Sequence, residues 1–127
     1  MKAGVTKTVM IVEGDPEYRT LLNKILKNLD CYIIGESSGG EEAINLYERK
    51  KPDIVILDIF LPQKHGLEVL KKIKNQEPGQ VIIMLTSVSD QQTVKECILA
   101  GASGYILKTD SANVIRDRID KFISDYH

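Results

Sequence analysis

The chain lacks an excess of charge of either sign. Its 127 residues include 17 Lys and Arg against 18 Asp and Glu, which leaves a formal net charge of -1. Proteins that neutralise nucleic-acid phosphates usually carry a basic balance that creates a positive field, and this chain has none overall. Direct binding to nucleic acid is therefore not expected of it.

Long apolar runs are also missing. The longest are far shorter than the roughly 20 residues that a membrane-spanning helix needs. The first residues, M-K-A-G-V-T-K-T, lack the apolar stretch of a signal peptide. These absences predict a cytoplasmic protein that makes no contact with a membrane.

Cysteine is scarce. Cys31 and Cys97 stand alone, with no Cys-x-x-Cys pair and no Cys/His cluster. This spacing argues against a redox pair or a metal site, and it favours buried thiols in a reducing cytoplasm.

The stretch D-I-V-I-L-D-I-F-L-P at residues 53–62 carries the clearest signal of a strand followed by a loop, and the other segments are interpreted relative to it. Residues 54–57 form an unbroken apolar run, which is too short for a helix and predicts a strand covered on both faces. Pro62 forbids regular strand pairing, so residues 59–66 are predicted to form a loop.

Strands and helices are predicted to alternate along the whole chain. The other apolar runs predict strands at residues 8–12, 31–36, 81–85 and 105–107. Helices are predicted from Pro16, with Asp15 as its cap, and then at residues 41–50, 66–76, about 90–100 and 111–126. The last helix is predicted to turn five apolar side chains inward: Val114, Ile115, Ile119, Phe122 and Ile123. This alternation predicts an α/β fold with a parallel sheet and helices on both faces. The length and the absence of linkers or repeats suit one domain, residues 1–127, with no output domain in this chain.

Polar side chains follow four of the predicted strands: Glu13 with Asp15, then Asp58, Thr86 and Lys108. Because the carboxyl ends of parallel strands lie at one edge, these groups are expected to converge. Each also has a plainer explanation as a helix cap, a loop hydrogen bond or a solvated strand end. Together they suit phosphoryl chemistry, in which a carboxylate accepts phosphate, carboxylates hold Mg²⁺, and a hydroxyl and an ammonium contact phosphoryl oxygens.

Several motifs in order resemble those of the response-regulator receiver domain of two-component signal transduction. They are V-M-I-V-E-G-D-P, D-I-V-I-L-D-I-F-L-P, H-G-L-E-V-L, M-L-T-S and G-A-S-G-Y-I-L-K, and they span nearly the whole chain. The resemblance implies a flavodoxin-like, doubly wound five-stranded sheet of order 2-1-3-4-5. It also implies a phosphoprotein that takes phosphate from a sensor histidine kinase or a histidine phosphotransfer protein.

The resemblance assigns roles to four side chains. Asp58 corresponds to the phosphoacceptor, which forms an aspartyl phosphate, and Lys108 to the cation that contacts the phosphoryl group. Thr86 corresponds to the switch hydroxyl and Tyr105 to the aromatic side chain that moves with it. Apart from this phosphorylation and dephosphorylation of itself, the chain is not expected to be an enzyme.

A magnesium site is implied by the same resemblance, with Glu13, Asp58 and the backbone carbonyl of Phe60 as ligands. Receivers usually carry a second acid where this chain has Gly14, so Mg²⁺ is expected to bind more weakly here. Either water fills the vacant position, since Mg²⁺ readily keeps bound waters, or the longer Glu13 side chain reaches the ion directly. Asp15 lies nearby, but its cap geometry is expected to turn its carboxylate elsewhere.

Two further departures concern the loops. Thr109 stands where a proline often follows the lysine, so a cis peptide bond is not expected after Lys108. His65 replaces the more usual Asp or Asn and is predicted to be exposed and non-catalytic.

The residues also oppose two other α/β functions. A two-aspartate phosphatase needs an acid two residues after Asp58, where this chain has Phe60. A flavin-mononucleotide site needs a Ser/Thr/Gly-rich loop, whereas E-G-D-P-E-Y-R is acidic. A pseudo-receiver that binds proteins without phosphorylation stays open as the alternative, because Gly14 favours it.

Output is expected through the surface of helix 4, strand 5 and helix 5. The partner would be a downstream protein target or an output domain outside this chain, since G-A-S-G-Y-I-L-K also resembles receivers joined to helix-turn-helix domains. A homodimer is a further expected form of partner.

Overall fold

The computed structural model describes residues 6–62 and 65–125. In chain order its strands are β1 (Thr8–Val12), β2 (Tyr32–Ser37), β3 (Ile54–Leu57), β4 (Val81–Thr86) and β5 (Gly104–Leu107). They form one sheet of order β2-β1-β3-β4-β5, in which every neighbouring pair is parallel. The α/β architecture and the strand order are therefore confirmed.

Helices cover both faces of the sheet. They are α1 (Pro16–Asn28), α2 (Gly40–Lys50), α3 (Gly66–Gln76), α4 (Gln91–Leu99) and α5 (Ala112–Asp125). One core lies between the sheet and α2, α3 and α4, and the other lies between the sheet and α1 and α5. Both cysteine side chains are buried, as predicted.

The central strands send alternate side chains into the two cores. In β1, for example, Met10 and Val12 face the first core, whereas Val9 and Ile11 face the second. Strands buried on both faces need apolar side chains at every position, which explains why β1, β3 and β4 read as unbroken apolar runs.

Some predicted boundaries differ from the structure because pairing extends strands into polar residues. β2 begins at Tyr32 and includes Ser37, whose carbonyl accepts a hydrogen bond from the Glu13 amide at 2.9 Å. β4 includes Thr86, whose carbonyl accepts from the Lys108 amide at 2.9 Å. The pattern of apolar residues could not show these two bonds.

The prediction for α5 was partly wrong. The helix begins at Ala112, and the Ser111 hydroxyl accepts a hydrogen bond from the Val114 amide at 3.3 Å. Val114 was predicted to be buried but is 40% exposed, whereas Ile115, one residue further round the helix, is in the core. The predicted end at Tyr126 lies outside the described residues.

Gly66 fixes the start of α3 against the end of β3. Its amide donates to the Ile59 carbonyl at 2.8 Å. A Cβ at this position would collide with the carbonyl oxygen of Asp58 and lie 2.6 Å from the Ile59 Cα. Only glycine therefore allows α3 to begin this close to Asp58.

Within residues 6–62 and 65–125, no helix combines the length and the apolar character needed to cross a membrane.

Candidate functional site

The carboxyl ends of three strands bring Glu13, Asp58 and Lys108 together. Glu13 follows β1, Asp58 follows β3 and Lys108 follows β5. The Asp58 amide donates to the Val12 carbonyl at 3.0 Å, so the backbone stays aligned with β1 just beyond the strand. The convergence that the sequence predicted is thus present for these three side chains.

Lys108 links the two carboxylates. Its Nζ lies 2.8 Å from Oδ2 of Asp58 and 2.8 Å from Oε1 of Glu13, and both acidic side chains are almost fully buried. Burial by itself would lower the pKa of the Lys108 ammonium, but its hydrogen bonds to Asp58 and Glu13 outweigh burial and raise that pKa. We call Glu13, Asp58 and Lys108 the ionic cluster.

Both oxygens of Glu13 are engaged. Oε1 meets Lys108, and Oε2 accepts a hydrogen bond from the Asp15 amide at 3.0 Å. Burial raises the pKa of Glu13, although these two contacts act in the opposite direction. The backbone carbonyl of Glu13 accepts a bond from Nη1 of Arg19 at 2.6 Å, which ties α1 to the end of β1.

The Asp58 carboxylate is held in one orientation. Its Oδ1 accepts from the Ile59 amide at 2.6 Å and from the Phe60 amide at 3.4 Å. Its Oδ2 meets Lys108, and the residue is only 5% exposed. Asp58 therefore presents a fixed carboxylate at the sheet edge.

Thr86 and Tyr105 both contact the backbone of Val88. The buried Thr86 accepts a hydrogen bond on Oγ1 from the Val88 amide at 3.4 Å, and the Tyr105 hydroxyl donates to the Val88 carbonyl at 2.6 Å. Burial raises the pKa of Tyr105 to about 12, so its hydroxyl stays protonated. Sequence reasoning did not identify Val88 as the link, because a backbone contact leaves no signal in residue type.

Two loop residues act as helix caps. Asp15 is exposed, and its Oδ1 accepts from the Glu17 amide at 3.0 Å, which confirms its predicted capping of α1. Its participation in an acidic pocket stays a prediction. His65 is exposed, as predicted, and its Nδ1 accepts from the Leu67 amide at 3.2 Å, so it caps α3.

Gly14 has an ordinary backbone conformation, because its φ lies outside the left-handed region. A Cβ there would meet only the Ser38 carbonyl oxygen at 3.5 Å and the Pro62 Cδ at 3.8 Å, which are normal van der Waals distances. The fold therefore leaves room for a side chain at the position where receivers usually carry an acid.

The donor set fits a hard divalent cation. The carboxylates of Glu13 and Asp58 already share one cationic group, the Lys108 ammonium, so their oxygens face a common region. Within the described part of the chain, no group of three or more His, Cys, Asp or Glu side chains could hold a metal ion. A Mg²⁺ ion would therefore depend on these two carboxylates, completed by backbone oxygens and water. The Phe60 carbonyl as one of its ligands stays a prediction.

Tyr18 is a member of the site that sequence reasoning missed. Its ring centroid lies 4.5 Å from Nζ of Lys108. Its spacing from Leu21 and Leu22 fits the apolar face of a helix, so the sequence pattern alone gives Tyr18 no role besides packing. One signal could have revealed its place in the site: Tyr18 lies in the first turn of a helix that begins three residues after Glu13.

Comparison with known proteins agrees with this geometry. The family model of the response regulator receiver domain matches residues 9–120. The chain is 34% identical over 113 residues to the chemotaxis protein CheY of Listeria monocytogenes, which covers 89% of this chain and 95% of that protein. It is 33% identical over 120 residues to CheY of Halobacterium salinarum, covering 94% and 99% respectively.

Solved structures show the same fold. The CheX-CheY-BeF3-Mg²⁺ complex of Borrelia burgdorferi matches with a TM-score of 0.89 and 28% identity, over 94% of this chain and 91% of that one. The BeF3-activated receiver domain of Klebsiella pneumoniae RstA matches with a TM-score of 0.80 and 35% identity, over 88% and 94%. This chain belongs to the response regulator receiver domain family.

Proposed function

We propose that this receiver domain accepts a phosphoryl group on Asp58, from a sensor histidine kinase or a histidine phosphotransfer protein. The observation that carries the proposal is the ionic cluster, in which a buried carboxylate at the end of β3 lies 2.8 Å from an ammonium. The relatives from Borrelia burgdorferi and Klebsiella pneumoniae, whose structures contain BeF3, support it.

The transfer needs little beyond positioning and charge. An Asp58 oxygen attacks the phosphorus of a phosphohistidine, the new P–O bond forms as the P–N bond breaks, and the imidazole nitrogen keeps the electron pair. Lys108 offsets the negative charge on the phosphoryl oxygens. The Ile59 and Phe60 amides keep the carboxylate oriented. The chain catalyses only its own phosphorylation and dephosphorylation. We place this reaction in the cytoplasm.

The central prediction concerns the phosphoacceptor. Acetyl phosphate with Mg²⁺ should add one acid-stable, hydroxylamine-labile phosphate to the wild-type protein, and Asp58→Asn should abolish the addition. Intact-mass spectrometry measures both.

Asp15→Asn is the matched control, because Asp15 is an exposed cap and its variant should still be labelled. Labelling that persists in Asp58→Asn would refute the assignment. A wild-type protein that stays unlabelled would favour the phosphorylation-independent pseudo-receiver, an alternative that the comparisons do not support.

Magnesium would be held by Glu13, Asp58 and the Phe60 carbonyl. The ion supplies further positive charge to the phosphoryl oxygens when it is bound. Gly14 contributes no carboxylate, so we propose that the ion binds more weakly here than in a receiver with both acids. The space beside Gly14 supports a direct test.

Gly14→Asp should tighten Mg²⁺ binding by roughly tenfold, because it adds a carboxylate without backbone strain or a collision. Amide chemical shifts around Glu13 and Asp58, followed during a Mg²⁺ titration, give the affinity. Gly14→Asn, which has the same size without the charge, should gain less. Equal affinities in the wild type and Gly14→Asp, with an unchanged fold, would show that position 14 does not serve the metal.

Output would pass through the surface formed by α4, β5 and α5. Thr86 and Tyr105 are joined through Val88, so a shift of the Thr86 hydroxyl toward a phosphoryl group would disturb the bond that holds Tyr105. Two apolar side chains on α4 are exposed, Ile98 and Leu99, the latter at 76%. They suit docking of a downstream protein, an output domain or a second copy of the chain.

Phosphorylation should therefore change backbone chemical shifts across residues 88–108, because the phosphate biases an equilibrium between two arrangements. Heteronuclear NMR before and after acetyl phosphate addition measures this. Changes confined to the loops around Asp58 would contradict the switch.

The phosphorylated state should be long-lived. In receivers, the residues two positions after the phosphoacceptor and after the switch hydroxyl flank the attacking water, and here they are Phe60 and Val88. Neither side chain can orient water or accept its proton, and such assistance is typically worth about 10²–10⁴-fold in rate. Decay over many minutes or longer is therefore expected, and Phe60→Asn combined with Val88→Glu should accelerate it.

Phe60 is 63% exposed, so the first substitution leaves the core intact. The dephosphorylation rate is measured by removing the donor and monitoring the loss of the phosphate by mass spectrometry. A wild-type half-life of seconds would contradict this account, as would an unchanged rate in the double variant.

A further inference from the structure

The ammonium of Lys108 meets three groups. Two of its N–H donors are accounted for by Asp58 Oδ2 and Glu13 Oε1, each 2.8 Å from Nζ. A lysine ammonium has three donors. The third contact of the ammonium is with the face of the Tyr18 ring, whose centroid lies 4.5 Å from Nζ. This distance is within the range of a cation–π interaction.

The position of Tyr18 is fixed by its helix. Pro16 begins α1 and Asp15 caps it, so Tyr18 lies in the first turn. The neighbouring Arg19 donates to the Glu13 carbonyl at 2.6 Å and lies 3.8 Å from a Glu36 carboxylate oxygen. These contacts hold the first turn against the end of β1, and the ring is thereby held against Lys108.

The hydroxyl of Tyr18 takes no part in these contacts. It is buried, and it has no hydrogen-bond partner among residues 6–62 and 65–125. Burial raises the pKa of Tyr18, so the side chain remains a neutral phenol. What Tyr18 contributes to the site is therefore its ring, because an unpaired buried hydroxyl is unfavourable by itself.

We infer that Tyr18 is a positioning residue for phosphoryl transfer to Asp58, with its ring holding the Lys108 ammonium beside the two carboxylates. The inference rests on the proposed function. During transfer, the attacking Asp58 oxygen loses its negative charge as the P–O bond forms, while the incoming phosphoryl group brings its own charged oxygens and the leaving group keeps the electron pair of the broken bond. The ammonium therefore has to turn from the carboxylate to the phosphoryl oxygens. A neutral ring attracts the ammonium without competing for it as a third carboxylate would.

The kinetic test compares Tyr18→Leu and Tyr18→Met, which remove the ring, with Tyr18→Phe, which removes only the hydroxyl. At saturating acetyl phosphate and Mg²⁺, Asp58 should be phosphorylated about 2- to 30-fold more slowly in Tyr18→Leu and Tyr18→Met than in the wild type. Tyr18→Phe should be phosphorylated at the wild-type rate. The loss should appear at saturation, because the ring acts on the Lys108 ammonium, and the ammonium acts on the phosphoryl group during the transfer itself. Equal rates in all variants would overturn the inference, as would a loss in Tyr18→Phe as large as in Tyr18→Leu.

The second measurement needs no phosphorylation. In protein with ¹³C-labelled lysine, ring current from Tyr18 should shift the Lys108 Hε protons upfield in the wild type and in Tyr18→Phe. The shift should disappear in Tyr18→Leu. Wild-type protein without this shift would refute the ring contact. A wild-type protein that shows the shift but takes no phosphate on Asp58 would instead reject the proposed function.

Discussion

The sharing of one ammonium between two buried carboxylates is the interaction on which the site depends. Glu13 and Asp58 are almost fully buried, and a buried carboxylate without a partner is strongly unfavourable. Lys108 is attached to β5, which is separated from β3 by β4. Its side chain therefore has to extend past the end of β4, and the three strand ends must stay aligned for both contacts to form.

Much of the surrounding structure maintains this alignment. Gly66 lets α3 begin against Asp58, Arg19 ties α1 to Glu13, and the Ile59 amide orients the carboxylate. These contacts come from different elements, yet each acts on the backbone or side chain of an acidic residue. The ionic cluster is thus held from several elements, which suits the proposed transfer by positioning and charge.

The strand crossed by Lys108 also carries the proposed switch. Thr86 is the last residue of β4 and lies between the ends of β3 and β5. Its contact with Val88, and the contact of Val88 with Tyr105, connect the sheet edge to the surface of α4 and β5. These two contacts place the residues of the proposed switch between the sheet edge and that surface.

Local sequence pattern determined the elements of this protein, and tertiary structure determined its contacts. Unbroken apolar runs predicted β1 and β3 with their observed bounds, and Asp15 before Pro16 predicted the start of α1, because burial and capping act over a few residues. The polar residues after the strands indicated which edge carries the site. The strand order came from the family resemblance, since local patterns do not specify which strands are neighbours.

The tertiary structure decided three contacts: the pairing of Lys108 with both acids, its contact with Tyr18, and the link through Val88. These contacts join residues that are distant in sequence or meet through backbone atoms. Only the folded sheet brings those atoms within bonding distance.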